Sequence, residues 1–328
     1  GPNDQPGIIL SGHTDVVPVT NQKWKTNPFE LTEIDNKLYG RGTADMKSFV
    51  ACALNVATKA ALMNLKTPLH FSFSYDEEIG CVGVRSLIEM LKSSSINPLF
   101  CIVGEPTSMQ VMSGHKGKVN ASVLIKGKEA HSALTTKGLN SIYLASELIQ
   151  GIQNIQTNLI NNSTHDNDFE VPYTTLQVGK IEGGVAVNIV PSYSSLLFEI
   201  RGLHSDDPNL ILKDIENLSE KIVKSHIDKF PDTKIEIKVT SQYPALNTMK
   251  NADIISFLNG LTGNNSVEKV SFGTEGGIFS NELNIETAIC GPGSMNQGHK
   301  PNEYIEKDQI DLCDQMLENL LNKLKKGL

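Results

Sequence analysis

Several features that would classify a chain quickly are scarce here. Five cysteines in 328 residues (Cys52, Cys81, Cys101, Cys290 and Cys313) make an odd, scattered set with no CxxC pair. That argues against a disulfide framework and for reduced core residues of a cytosolic protein. Nowhere does the sequence approach the roughly 18 to 20 apolar residues of a membrane span. Basic residues are outnumbered, 29 to 37, for a net charge of -8, and the one basic cluster is the terminal Lys323, Lys325 and Lys326. A solvated last helical turn accounts for those lysines, and no nucleic-acid partner is expected. The glycine-rich turns at Gly273, Gly276, Gly277 and at Gly291, Gly293 lack P-loop or dinucleotide spacing, which excludes a nucleotide site. No signal peptide is visible. The chain leaves an opening loop, 1–7, and enters a strand at once, so a natural N-terminus upstream is expected. Internal repeats are absent, and only the loop Asn161 to Asn167 hints at low complexity.

What is present is a set of short polar motifs: His13-Thr14-Asp15, Ala44-Asp45-Met46-Lys47, Asp76-Glu77-Glu78, Gly104-Glu105-Pro106-Thr107 and Gly298-His299-Lys300-Pro301. Each follows an apolar run that reads as a strand, so all five are expected to converge on one edge of one sheet. In open α/β sheets the carboxyl ends of the strands are where ligands bind. Imidazole and carboxylate donors together suit zinc, cobalt or manganese. The pattern predicts a two-metal hydrolase.

Segment 1–116 alternates strands and helices, which predicts a mainly parallel sheet covered on both faces. Strands are expected at Ile8 to Gly12, Leu69 to Tyr75 and Leu99 to Val103, with helices at Ser48 to Met63 and Gly83 to Leu91. Segment 117–243 reads strand, helix, strand, strand, helix, strand, the ferredoxin-like order, with Asp206 as a possible N-cap of its second helix. It is expected to be an inserted domain. Segment 244–328 returns to the first pattern and closes with an amphipathic helix from Lys307 to Leu324. The fold class is thus α/β, a catalytic domain in two parts around an α+β insertion.

Chemistry narrows the roles only in part. Asp45, where a glycine-rich turn enters a helix, could cap that helix or bridge two cations. Asp15 is spaced to accept the proton of the His13 ring nitrogen that faces away from a metal. In the pair Glu77-Glu78, one carboxylate can bind metal while the other takes a proton from water; a solvated turn is the bland alternative. His131, Asn188 and Arg201 lie in the inserted segment. His131 could stabilise an oxyanion if that domain closes or a partner subunit supplies it, Asn188 could donate to the same charge, and Arg201 could fork onto a substrate carboxylate. By their positions alone they are ordinary loop and strand-end residues.

Over nearly its whole length the chain resembles the metallopeptidase family that contains acetylornithine deacetylase, succinyl-diaminopimelate desuccinylase, aminoacylase and glutamate carboxypeptidase. The resemblance is carried in order by SGHTDVVPV, LYGRGTADMKS, DEEIGCVG, VGEPTSMQVMSGHKG, AHSALTTKGLNSI, VNIVP and CGPGSMNQGHKPNEYI. Within the family the phrases GTADMK, GEPTSMQ and GPGSMNQGHKPNEY look most like acetylornithine deacetylase. The resemblance implies two divalent ions, zinc or cobalt, with His13 and Glu105 on one, Glu78 and His299 on the other, and Asp45 bridging. It implies Glu77 as general base, Asp15 as the partner of His13, segment 117–243 as a lid and dimerisation domain, His131 acting across a homodimer, and Asn188 and Arg201 near a small N-acyl amino acid. Removal of acetate from N2-acetyl-L-ornithine, a step of arginine biosynthesis in the cytoplasm, is the expected activity. Succinyl-diaminopimelate desuccinylase or another N-acyl-amino-acid deacylase is the runner-up, and an inactive metal-binding dimeric protein the alternative outside enzymes. The sequence departs from the family in lacking most of a leading helix and strand, and its loop FGTEGGIF leaves the acyl group open.

Overall fold

The computed structural model describes residues 1–2 and 4–328; residue 3, in the opening loop, lies outside them. Two compact units emerge, one from Gly1–His115 with Leu246–Leu328, the other from Lys116–Ala245.

The first unit is built on a seven-stranded sheet. Its path runs Leu246–Asn247, Val111–His115, Glu286–Ile289, Pro98–Val103, Gly7–His13 and Leu69–Ser74, with Val267–Val270 also pairing with Val111–His115. The strands Gly7–His13, Leu69–Ser74, Pro98–Val103 and Glu286–Ile289 pair in parallel, while Leu246–Asn247 and Glu286–Ile289 pair antiparallel with Val111–His115. One face carries Ile8, Leu10, Phe100, Ile102 and Ala288 against Phe49, Cys52, Ala53 and Val56 of the helix Ser48–Ala61, Ile254 and Leu258 of Asp253–Thr262, and Met316, Leu317, Leu320 and Leu324 of Lys307–Lys326. Each fully buried side chain of this kind contributes about 1.5–3 kcal/mol. All five cysteines are free and buried.

The sheet's other face is not solvent. Ser72 and Ser74, the polar partners of Phe71 and Phe73 in the alternation, are buried, as is Ser11. Glu275, at the start of the helix Gly276–Leu283, is buried with them and accepts from Ser11 Oγ at 3.4 Å. A parallel sheet covered on both faces buries both sets of side chains, so period-two alternation here separates apolar from polar interior.

Register places the strand ends together. His13 is opposite Ser74, and Ser11 opposite Val103, so the chain leaves these neighbouring strands at one level of the sheet. Gly104 then passes so close to the Phe49 ring that a Cβ would sit 2.0 Å from it, and this clearance lets Glu105 follow directly.

The second unit is a four-stranded antiparallel sheet in the order Lys234–Tyr243, Gly117–Lys126, Tyr193–Gly202, Thr175–Gly183. With its helices Ser141–Asn162 and Pro208–Lys224 this is the ferredoxin-like arrangement. Val119, Ala121, Val123 and Ile125 face a core with Leu144, Leu148, Ile211 and Ile215 of the helices. The second helix starts one residue later than the sequence suggests. Asp207, not Asp206, is its N-cap, with Oδ1 accepting from Asn209 N at 2.9 Å, while Asp206 accepts from the Thr174 hydroxyl. Asp206 is engaged across the fold, a claim that local spacing does not reveal.

Candidate metal centre

His13 is the last residue of its strand, Glu77 and Glu78 follow the strand Leu69–Ser74, and Glu105 follows Pro98–Val103. Asp45 reaches them differently from expectation. The strand before it, Lys37–Tyr39, belongs to a separate three-stranded sheet with Thr32–Ile34 and Tyr304–Glu306. A tight helical turn, Thr43–Lys47, carries Asp45 to the cluster, and its side chain caps no helix. His299 lies in the loop after Glu286–Ile289, at a positive φ of 63°.

Two donor groups result, His13, Asp45, Glu105 and Asp45, Glu78, His299, each with its ligand atoms within 4.8 Å of one another. Asp45 belongs to both. Its Oδ1 is 3.1 Å from His13 Nε2, and its Oδ2 is 3.0 Å from His299 Nε2. His13 Nε2 is 3.8 Å from Glu105, and His299 Nε2 3.0 Å from Glu78. On the far side of the His13 ring, Nδ1 is 3.0 Å from the main-chain carbonyl of Asp15 and 3.4 Å from its carboxylate. The carbonyl is the nearer acceptor; the Asp15 carboxylate also accepts from Glu78 N at 3.1 Å. With the Nδ1 proton held there, a cation that displaced the Nε2 proton would find the tautomer a metal ligand needs.

The electrostatics of the cluster call for cations. Burial alone would raise Asp45, yet His13 and His299 hold it well below the usual carboxylate range. Burial would lower His13, but its hydrogen bonds to the Asp15 and Asp45 carboxylates push it far up. His299 is raised to about 10 by Asp45 and Glu78. Glu105, 2% exposed, is driven well up by burial and by Asp45. Glu77 is raised to about 8, first by burial and then by Glu275, Glu78 and Asp45, and it accepts from Cys81 Sγ at 3.3 Å. A buried carboxylate without a partner costs several kcal/mol, more than one buried leucine contributes. Three acids with two imidazoles are a donor set for divalent ions, and residues of this chemistry fit such a pair.

His131, Asn188 and Arg201 belong to the other unit. Structure brings the first two together: Ile189 pairs with His131, and Asn188 accepts through its main-chain carbonyl from Ser132 N at 3.0 Å. Both are exposed. His131 Nδ1 accepts from Ala133 N at 3.1 Å, so the ring proton sits on Nε2, available to an oxyanion. Arg201 is elsewhere on the sheet, its Nε and Nη2 forked onto Glu199 at 2.8 and 3.1 Å and Nη1 on Tyr243 at 3.2 Å.

Two acids escaped the sequence reading. Glu275 lies in the segment read as a loop, and burial raises it to about 7. Glu303 forms a buried pair with Arg41 at 2.5 Å. Charged residues that never appear in the hydrophobic pattern give no sign of burial until the chain is folded; the phrase around Asn302 and Glu303 was the only signal.

Residues 9–323 match the model of peptidase family M20/M25/M40, and the chain belongs to this family. Its members are dinuclear metallopeptidases, so the chain is a metal-binding hydrolase of amide bonds. Acetylornithine deacetylase of Pasteurella multocida (strain Pm70) is 34% identical over 321 residues, 98% of this chain and 81% of that protein. In fold, an M20 family metallo-carboxypeptidase from Sulfolobus solfataricus matches with a TM-score of 0.78 at 19% identity, covering 99% of this chain and 86% of that one. A dinuclear metal-binding peptidase of the M20 family from Bacillus subtilis matches with a TM-score of 0.66 at 16% identity, over 99% and 83%. Among the described residues no helix is long and apolar enough to cross a membrane.

Proposed function

We propose that the chain removes the acetyl group from N2-acetyl-L-ornithine, giving ornithine and acetate. The observation that carries the two-ion part of this reading is Asp45, with one carboxylate oxygen in each donor group. His13 and Glu105 would hold one ion, Glu78 and His299 the other. Zinc or cobalt is the metal of this reading. Bound there, two divalent ions supply the charge that acidifies a water and polarises the amide carbonyl.

The chain's own groups do the rest. Glu77 is in the pair that follows the strand Leu69–Ser74, outside both donor groups, and takes the proton of the attacking water. Its raised pKa favours proton uptake, and positive charge bound beside it draws that value down toward the working range. The same carboxyl then returns the proton to the leaving amine. His131, with its proton on Nε2, is the oxyanion donor, contributed across a homodimer whose lid is the inserted unit. Asn188 adjoins it. For Arg201 to fork onto a substrate carboxylate it must exchange its bond to Glu199. The substrate assignment leans on the deacetylase relative and on GTADMK, GEPTSMQ and GPGSMNQGHKPNEY. Arginine biosynthesis in the cytoplasm is the setting this reading implies.

A paired rate assay on N2-acetyl-L-ornithine and N-succinyl-diaminopimelate, with and without added Zn2+ or Co2+, tests the reading. Metal-dependent acetate release that is faster than succinate release is expected. Faster desuccinylation would reassign the substrate, and metal loading without turnover on either would leave a deacylase of another N-acyl amino acid or a binding protein.

A further inference from the structure

Behind Asp45 lies a polar chain, buried at Glu303 and Arg41, that runs outward to the loop of His299. Glu303 Oε1 accepts from the main-chain N–H of Gly42, Ala44 and Asp45 at 3.1, 2.9 and 3.1 Å. Its Oε2 accepts from Arg41 Nη1 at 2.5 Å. The other end of the same guanidinium, Nη2, donates to Gln22 Oε1 at 2.7 Å, and Gln22 Nε2 donates to the main-chain carbonyl of His299 at 3.0 Å. One planar fork therefore holds the turn that carries Asp45 and, through an amide, the loop that carries His299. A lysine, a point charge on a flexible stem, cannot span both.

The two histidines differ in how else they are held. His13 is 1% exposed and built into a strand of the central sheet. The His299 side chain is 49% exposed, in a loop at positive φ, with no strand to fix it. Its position depends on ties to neighbouring loops.

We propose that Arg41 is a positioning residue that sets the separation of Asp45 from His299, through Glu303 on one side and Gln22 on the other, and so sets the affinity of the Glu78–His299 site. The proposal rests on the two-ion reading above. It predicts an asymmetry for the Gln22 tie, because Asp45, held by Glu303, serves both sites, while Gln22 reaches only the loop of His299.

The test is a titration of metal-free protein with Co2+, followed by visible absorption, which resolves filling of the two sites. Gln22 is partly exposed, and a second tie between the same loops, Lys25 N to Asn302 at 2.6 Å, survives its replacement. Gln22→Ala should weaken the second step about 10- to 100-fold, the usual effect of removing a group that orients a ligand, and leave the first step unchanged. Gln22→Glu should do the same, since a carboxylate still accepts from Arg41 but cannot donate to the His299 carbonyl. Arg41→Lys keeps a charge for Glu303 and loses Gln22, so it should match these variants and add nothing when combined with Gln22→Ala. An unchanged second step in both Gln22 variants overturns the proposal, as does equal weakening of both steps, which would mark a general loosening. Wild-type protein that takes up fewer than two ions fails differently, because it removes the two-ion reading itself.

Discussion

The unit formed by Gly1–His115 and Leu246–Leu328 buries several acids, whereas the unit Lys116–Ala245 buries none among the described residues, its one buried charged side chain being Lys116. At the strand ends of the first, His13, Asp45 and Glu105 are at most 3% exposed, and Glu275 and Glu303 are buried behind them. In the second, the sheet and two helices enclose an apolar core, His131 and Asn188 are exposed, and Arg201 is already paired. Burial of acids is expensive. Stability alone accounts for the second unit, but it does not account for the four buried acids Asp45, Glu105, Glu275 and Glu303 in the first. The difference locates the candidate donor cluster in the first unit.

The strongest way to break this contrast is Asp45→Asn. If the buried acids exist for cations, the variant should lose both ions and all measurable turnover, as checked by elemental analysis and an acetate assay; two ions retained would end the bridging role. Next in size, Glu77→Gln should keep both ions and lose about 10²- to 10⁴-fold in kcat, the usual range for a missing general base. Near-normal kcat would move the base elsewhere, and loss of metal would show that Glu77, not Glu78, is a ligand.

His131→Ala sharpens the other side of the comparison. It should keep its metal and lose on the order of 10²-fold in kcat, as for one oxyanion donor. Mixed with Glu77→Gln subunits it should regain activity, since one dimer can then assemble one intact site from two damaged chains. A dead mixture in which heterodimers are shown to form would confine His131 to its own subunit or remove it from the reaction.

The smallest effect concerns pH. Burial raises Glu275 to about 7 from an ordinary 4.5, so the folded chain holds a proton that the unfolded chain releases between those values. Its contribution is therefore fully present below about pH 4.5 and is lost as pH rises through about 7. Metal-free Glu275→Gln, which keeps the neutral shape, should lack this decline. Between pH 5 and 8 the wild type should lose about 5 °C more in Tm than the variant, given about 2–4 °C per kcal/mol for domains of this size. Parallel pH profiles would show that Glu275 is ionised in the fold.

Much of this was legible in order and spacing. Apolar runs followed by His13, Glu78 and Glu105 marked strand ends, because parallel strands buried on both faces read as continuous or alternating hydrophobic segments. The strand and helix order of the inserted unit was equally plain. Asp207 in place of Asp206 as N-cap, and the separate small sheet ahead of Asp45, were not, since both depend on contacts between distant segments.

Residue types and their order thus determined the α/β class, the inserted unit and a candidate donor set, because hydrophobic period and motif spacing are local properties of the chain. Only the tertiary structure decided that the two oxygens of Asp45 part between His13 and His299, that Asp15 meets His13 chiefly through its main chain, and that Arg41 joins Glu303 to Gln22. Those are distances between residues far apart in sequence or angles within a turn, and burial, which sets the charge state of every acid involved, exists only once the sheet has closed over them.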